Sequence, residues 1–410
     1  MIMKRNRIYL DYAASTPVDP LAMKAMEPYF SKKFGNPGSL HSFGQEGIAA
    51  VDRGRETVAR AIGAEFREII FTGSATEANN LALRGTVLDV RRQVSSLKNP
   101  KIIISSIEHE SVLETAKDLE KDGVEVVYLP VDREGRVKLG ALEEALDRRT
   151  VLVSVMYVNN EIGTIEPIAE IAKVIREFRI QNLTSYPFFH TDAVQAFQFM
   201  DCAVDVLGVD LMTLSAHKIY GPKGIGALYM RQASRTKRHG EEPAARGPRP
   251  AAPIITGGGQ EFGLRSGTEN VPLMVGFARA IELAVLYRSE ETERIRALRD
   301  YFSRGIQKIY PRAEFNSPQG TESVPNILNF YLPGRRAEEF LIQCDLDGIA
   351  ISAGSACAAR SSAPSYVVRA VRGSEERARS SVRFSFGRPT TRQEIDRACI
   401  IIKNILKEKT

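Results

Sequence analysis

Between residues 55 and 230 the chain alternates short β-branched or aromatic runs with amphipathic stretches, and this alternation restricts the fold more than any other feature. REIIFTG (67–73), KIIISS (101–106), VEVVYLP (124–130), TVLVSVMYV (150–158), YPFFHTDA (186–193), DLMTLSAH (210–217) and GIGALYM (224–230) read as strands. SVLETAKDLEKDG (111–123) and IAEIAKVIREFRIQN (168–182) carry apolar residues three or four apart and close on a polar stop, the pattern of helices. Strand and helix in alternation predict an α/β domain with a mainly parallel seven-stranded sheet flanked by helices. A run as continuously apolar as TVLVSVMYV belongs at the buried centre of such a sheet.

RQASRTKRHGEEPAARGPRPAAP (231–253) breaks the pattern and is expected to form a surface insertion. Beyond it a long helix is expected at about 272–308. SVPNILNFYL (323–332), a helix around 336–347, GIAISAG (348–354), SSVRFSFG (380–387) and a terminal helix then suggest a smaller α+β domain. The expected division is a large domain over 15–270, with 231–253 as its insertion, and a small domain built from 1–14 and 271–410 that carries a cysteine-bearing stretch at 352–366. No repeat or heptad is present.

A net charge of +6 spread over 410 residues is a diffuse surplus that serves solubility, so no direct nucleic-acid binding is expected. No apolar run approaches the ~20 residues of a membrane span. The start, MIMKRNRIYLDYAAS, lacks an apolar signal core, so no cleaved export signal is expected. Cys202, Cys344, Cys357 and Cys399 show no CxxC spacing, which fits a reducing cytoplasm.

The chemistry concentrates in TLSAHKIYGPKGIGAL (213–228), where a buried strand runs into Ser-Ala-His-Lys and then a Gly/Pro turn. A lone surface lysine would be the ordinary reading. Lys218, however, is bracketed by a hydroxyl, an imidazole and tight-turn residues, a placement that suits a desolvated amine able to form a Schiff base. Such a lysine holding pyridoxal phosphate needs four companions. Asp192 in HTDAVQAF stands where an acid would face the pyridinium nitrogen, with Gln195 near enough for the ring hydroxyl. FTGSATEANNLAL (71–83) is a strand, a Gly turn and a helix start, so Ala75 and Thr76 read as an anion cradle to which Ser215 and His217 add donors. His109 in SSIEHESVLE offers a flat ring, and Arg383 in SSVRFSFGR offers a bidentate partner for a substrate carboxylate.

The fourth cysteine is unlike the others. SAGSACAARSSAPS (352–365) is too small and polar for a core element, so Cys357 reads as a thiol on an exposed loop, to be explained by reactivity. Cys202, Cys344 and Cys399 have apolar or helical neighbours and read as structural. Among the other histidines, His190 is expected to orient a strand end, His41 to lie in a loop near the site's mouth, and His239 to be solvated.

Taken in order, LDYAASTPVDP, GSATEA, EH, VNNEIGT, HTDAVQ, SAHKIYGPKGIGAL, GGGQEFGLRSGTEN, GSAC and VRFSFGR resemble the cysteine desulfurase family, fold-type I pyridoxal-phosphate enzymes of the class V aminotransferase group. The likeness covers nearly the whole chain apart from 231–253. PSYVVRA after the cysteine is similar to the branch with an extended cysteine loop that serves iron–sulfur cluster assembly and tRNA thiolation. The resemblance implies that Lys218 is the Schiff-base lysine, Asp192 the pyridinium partner and His109 the stacking ring. It implies that Thr76, Ser215 and His217 bind phosphate, that Gln195 meets the ring hydroxyl, and that Asn160 approaches cofactor and substrate. Thr268 would reach the phosphate of the other subunit in a homodimer, and Arg383 would clamp the carboxylate of L-cysteine. Cys357 would take the substrate sulfur as a persulfide, leaving L-alanine, and pass it to an acceptor such as an iron–sulfur scaffold or a tRNA-thiolation enzyme. No resident metal is implied, although Cys357 is a candidate transient ligand for a nascent iron–sulfur cluster.

Two features depart from the family pattern: the insertion at 231–253, and Ala-Ala-Arg after the thiol in place of Thr-Ser, where Arg360 would lower the thiol pKa. The competing readings are a selenocysteine lyase, a sulfinate desulfinase, an aminotransferase, and a non-catalytic iron–sulfur carrier. An aminotransferase needs no cysteine, and a carrier would not need Lys218, Asp192 and His109 together.

Overall fold

The computed structural model describes residues 7–94, 97, 99–232, 250–354 and 364–407. Strands β1 (Ile8–Tyr9), β2 (Ile69–Thr72), β3 (Lys101–Ser105), β4 (Glu125–Leu129), β5 (Thr150–Ser154), β6 (Phe188–Asp192), β7 (Leu211–Ser215) and β8 (Gly226–Met230) precede β9 (Glu314–Phe315), β10 (Ile327–Tyr331), β11 (Ile349–Ala350) and β12 (Ser381–Ser385). The seven expected strands form one sheet in the order β2-β8-β7-β6-β5-β3-β4. β8 runs antiparallel to both its neighbours and every other pairing is parallel. Two antiparallel steps leave β2 pointing the same way as β7. The C-terminal ends of β2, β3, β5, β6 and β7 therefore share one edge, where open α/β sheets bind ligands.

The two edge strands differ in burial, since β2 is buried throughout and β4 is not. β3, β5, β6, β7 and β8 are buried along their whole length, as strands covered on both faces must be. Edge strand β4 exposes Glu125 and Tyr128. The run expected as one strand over 150–158 leaves the ladder at Ser154. Its apolar residues continue because Val155 and Tyr157 still donate their N–H groups to His190 and Asp192 beneath the site.

The expected helices form at Glu110–Lys121, Ile168–Asn182, Val271–Ile309, Ala337–Leu346 and Arg392–Lys407. The 39-residue helix Val271–Ile309 spans about 58 Å at 1.5 Å per residue. Its first half packs Met274, Phe277 and Ile281 into the large core, and its second half sends Ile295, Phe302 and Ile306 into another. That second core is closed by the antiparallel sheet β12-β10-β9 and the parallel pair β1-β11. Phe302, Phe330 and Phe384 stack within it.

Residues 233–249, with His239, lie outside the described residues. The far end of the expected surface insertion is buried instead: Ala251 and Ala252 are inside, the Ala252 N–H donates to Gly85 O (2.9 Å), and Thr86 Oγ1 donates to Pro250 O (2.6 Å). Small residues fit because the contact is backbone to backbone: a Cβ on Gly85 would stand 2.6 Å from Ala252 O. Among the described residues no helix is long and apolar enough to cross a membrane.

Candidate active site

A cavity of about 190 Å³ opens at the common edge of the strands, lined in part by Ala75, Thr76, His109, Asn160, Asp192, Gln195, Ser215, His217, Lys218 and Arg383. Ten of the twelve positions singled out in the sequence thus converge. Lys218 closes the short turn Ala216–Lys218 directly after β7, and its Nζ donates to Ala13 O (2.7 Å) and Ala14 O (2.8 Å). Those two carbonyls were not legible as site groups, because backbone acceptors carry no side-chain signal. Gln195 Nε2 donates to the same Ala13 oxygen (2.9 Å).

The expected anion cradle is the start of helix Ala75–Gln93. Ser74 caps it, its Oγ accepting the Glu77 N–H (3.1 Å), so the N–H groups of Ala75 and Thr76 lie in the first turn with no partner inside the helix. The Glu77 carboxylate turns away from the cavity to accept Gly73 N–H (2.8 Å) and Arg265 Nε–H (2.9 Å). Gly226 on β8 lets this turn approach: a Cβ there would stand 2.8 Å from Ala75 N and from Leu214 O. Ser215 Oγ is buried with no hydrogen-bond partner. Burial, reinforced by Lys218 and Lys223, pushes His217 down to about 4, so it is neutral.

Asp192, at the end of β6, accepts Val194 N–H (3.0 Å) on Oδ1 and Asn79 Nδ2–H (2.8 Å) on Oδ2. Asn79 also donates to Ser111 Oγ (2.8 Å), which meets His109 Nδ1 (2.9 Å). Burial and the Lys218 charge lower the His109 pKa, opposed by Asp192. Glu108 beside it is fully buried; its Oε1 accepts Ser105 Oγ–H and Met156 N–H (both 2.7 Å), and burial raises its pKa to about 8. Asn79, Ser111 and Glu108 went unnoticed in the sequence. Asn79 lies four residues into a helix whose start alone drew notice, and Ser111 and Glu108 flank a histidine that took all the attention.

Arg383 on β12 is 1% exposed, donating to Asn160 O (2.8 Å) and Asp11 Oδ1 (2.9 Å). Its Nε and the Asn160 Oδ1 are buried without partners. Ser352, where the cysteine stretch begins, pairs with Arg383 through Arg383 N–H to Ser352 O (2.7 Å) and the return bond (3.2 Å). On the far side Ser365 Oγ donates to Glu161 Oε2 and Tyr366 OH to Glu108 O. Cys357 and Arg360 between them lie outside the described residues.

Thr268 is exposed and does not line the cavity. His41 caps helix Ser42–Ala61, its Nδ1 accepting Gly44 N–H (3.3 Å), and it too is absent from the cavity wall. His190 bridges Ser154 Oγ (2.8 Å) and Thr213 Oγ1 (3.0 Å) across three strands, inside the sheet. Burial pushes the thiols of Cys202 and Cys344 up to about 12 and that of Cys399 to about 11, which leaves them unreactive.

The cavity fits pyridoxal phosphate on its own chemistry: an unpartnered hydroxyl and a capped helix start for the phosphate, with a carboxylate, a tethered amine and a histidine ring in the same wall. The aminotransferase class-V family matches residues 8–398. The chain is 44% identical over 406 residues to the cysteine desulfurase IscS of Dictyoglomus turgidum, covering 99% of this chain and 96% of that one. It is 42% identical to the cysteine desulfurase IscS of Rickettsia rickettsii, covering 96% and 90%. Among solved structures, a NifS-like protein superposes with a TM-score of 0.85 at 34% identity, covering 98% of this chain and all of the other. SspA in complex with cysteine superposes at 0.74 with 36% identity, covering 92% and 98%.

Proposed function

The chain belongs to the aminotransferase class-V family, within its cysteine desulfurases, and on that premise we propose how its residues divide the conversion of L-cysteine to L-alanine and enzyme-bound sulfur. It is a pyridoxal-phosphate-dependent cysteine desulfurase. The cofactor, when bound, supplies an electron sink for the charge left at the substrate Cα and so loosens the Cβ–S bond. Ala75, Thr76, Ser215 and His217 would hold its phosphate, and Thr268 would complete that site from the second copy in a homodimer. Asp192 would pair with its ring nitrogen, His109 would stack on the ring, and Gln195 and Asn160 would bind its edge.

Lys218 Nζ would hold the cofactor at rest and would move the proton at the substrate Cα. Arg383 binds the substrate carboxylate with the N–H groups that Asp11 and Asn160 leave over. The Cys357 thiolate attacks the substrate sulfur: an S–S bond forms, the Cβ–S bond breaks, and its electron pair stays on the carbon skeleton that leaves as alanine. The persulfide then passes to an acceptor, for which an iron–sulfur scaffold or a tRNA-thiolating enzyme is suited. The unpaired thiols of Cys202, Cys344 and Cys399 agree with a cytoplasmic setting.

The observation that supports this reading is the convergence of Lys218, Asp192 and Arg383 on one cavity together with the unpartnered Ser215 hydroxyl. It is tested by product analysis with L-cysteine and a thiol reductant. Equal alanine and sulfide from the wild type, and neither from Cys357→Ala, is the expected result. Both products from the variant would refute the role of Cys357, and cofactor-loaded wild type that turns over no cysteine would refute the activity.

A further inference from the structure

The polar groups between Asp192 and His109 form a chain whose donor direction is determined at every link. Asn79 must present its NH₂ to Asp192, because the alternative would set an amide oxygen against a carboxylate at 2.8 Å. Both Asn79 donors are then used, one on Asp192 Oδ2 and one on Ser111 Oγ (2.8 Å). The Ser111 hydroxyl, which accepts from Asn79, lies 2.9 Å from His109 Nδ1 and gives it its hydrogen once that nitrogen is fixed as an acceptor by its other contact. The Ser111 backbone N–H, which can only donate, also points at that nitrogen (3.1 Å). Two donors on one ring nitrogen require it to be unprotonated, so the ring hydrogen is on Nε2. Asn79 is fully buried and Ser111 nearly so, so water does not offer an easy substitute for either contact.

We propose that Asn79 and Ser111 are positioning residues that lock His109 as the neutral Nε2–H tautomer and hold Asp192 through the same amide. A proton on His109 Nδ1 would displace two donors at once. His109 therefore works as a fixed flat ring and Nε2–H donor, not as a group that gains and loses protons during turnover. The functional consequence rests on reading His109 and Asp192 as cofactor-facing groups; the tautomer does not.

The test is nitrogen NMR of the ¹⁵N-histidine-labelled holoenzyme and of the cofactor-free protein at pH 7.5, with the His109 signals assigned by His109→Gln. The wild type is expected to show His109 as the Nε2–H tautomer alone. Ser111→Ala keeps the backbone donor but removes the hydroxyl, and is expected to lower the Nε2–H to Nδ1–H ratio about tenfold. Ser111→Thr, which retains a hydroxyl, is expected to restore it. A wild-type His109 found as Nδ1–H, as a mixture or as the cation at pH 7.5 overturns the proposal, as does a tautomer ratio that Ser111→Ala leaves unchanged. The wild-type spectrum decides the matter even if a variant fails to fold. Loss of cysteine turnover with the tautomer as expected would count against the functional reading alone.

Discussion

Arg383→Lys separates the substrate-binding role of this residue from its place in the core. The guanidinium has five N–H groups. One Nη1 hydrogen goes to Asn160 O and one Nη2 hydrogen to Asp11 Oδ1, which leaves a coplanar set for a carboxylate. An ammonium at the same depth keeps the charge and can retain a bond to Asp11 or Asn160, but it cannot present two parallel donors to a ligand. The loss is about one charge-assisted hydrogen bond, on the order of 1.5–3 kcal/mol, or roughly 10- to 150-fold in kcat/KM for L-cysteine. The effect should fall mainly on KM, because the carboxylate is held equally before and during the reaction. Cysteamine, which has a thiol and an amine but no carboxylate, should be turned over slowly and equally by both proteins. The absorbance of bound cofactor should not change. Wild-type KM for cysteine in a cofactor-loaded Arg383→Lys enzyme, or an equal loss with cysteamine, would refute the assignment.

Other perturbations have signs determined by the structure. Gly226→Ala puts a methyl 2.8 Å from backbone atoms of Ser74, Ala75 and Leu214, none of which can swing aside, so cofactor should be retained at least tenfold less well on dialysis while the far-ultraviolet spectrum holds. Glu166 is buried with a pKa raised to about 8, mainly by desolvation, as is Glu108. A raised carboxyl pKa means the folded state binds more protons than the unfolded one above pH ~4.5, so stability is lost as pH rises toward 8. Between pH 6.5 and 7.5 each carboxyl contributes a decline of up to about 1.4 kcal/mol; in urea titrations Glu166→Gln should have a shallower decline than wild type, and an unchanged slope would contradict the burial argument. Tyr366→Phe removes the bond to Glu108 O without changing the cavity wall. It should leave cofactor absorbance and exchange of the substrate α-proton intact but slow the appearance of persulfide about tenfold, and equal slowing of both steps would rule out a role confined to sulfur transfer.

The strands and the long helices were legible because apolar period is a local property: KIIIS and LMTLS state their burial in five residues each. Strand order was not, since nothing within GALYM reveals that it runs antiparallel between β2 and β7. The same limit divides the site. Lys218, Asp192 and the GSATEA turn announce themselves by residue type at a strand end. Ala13 and Ala14 contribute only carbonyls from a segment about 200 positions away, and Asn79 is one polar residue on a helix whose other residues gave no reason to single it out. The burial of Ala251 and Ala252 escaped notice for a related reason: a stretch rich in Pro, Ala and Arg is read by its average, while Gly85 across from it selects two small residues.

The anchors of the cysteine stretch connect these observations to sulfur transfer. Ser352 is paired with Arg383, Ser365 with Glu161, and Tyr366 with the carbonyl of Glu108. Each anchor is bonded either to a cavity residue or to the neighbour of one: Arg383 itself, Asn160 beside Glu161, and His109 beside Glu108. A Cβ on Gly354 would lie 3.6 Å from Glu161 Oε2, so both ends of the stretch meet at the same carboxylate. On the proposed reading, the base from which the Cys357 thiol would reach the substrate sulfur is built from the same three segments that carry Arg383, Asn160 and His109. A change in any of these segments should alter persulfide formation even where the cavity still binds its ligands.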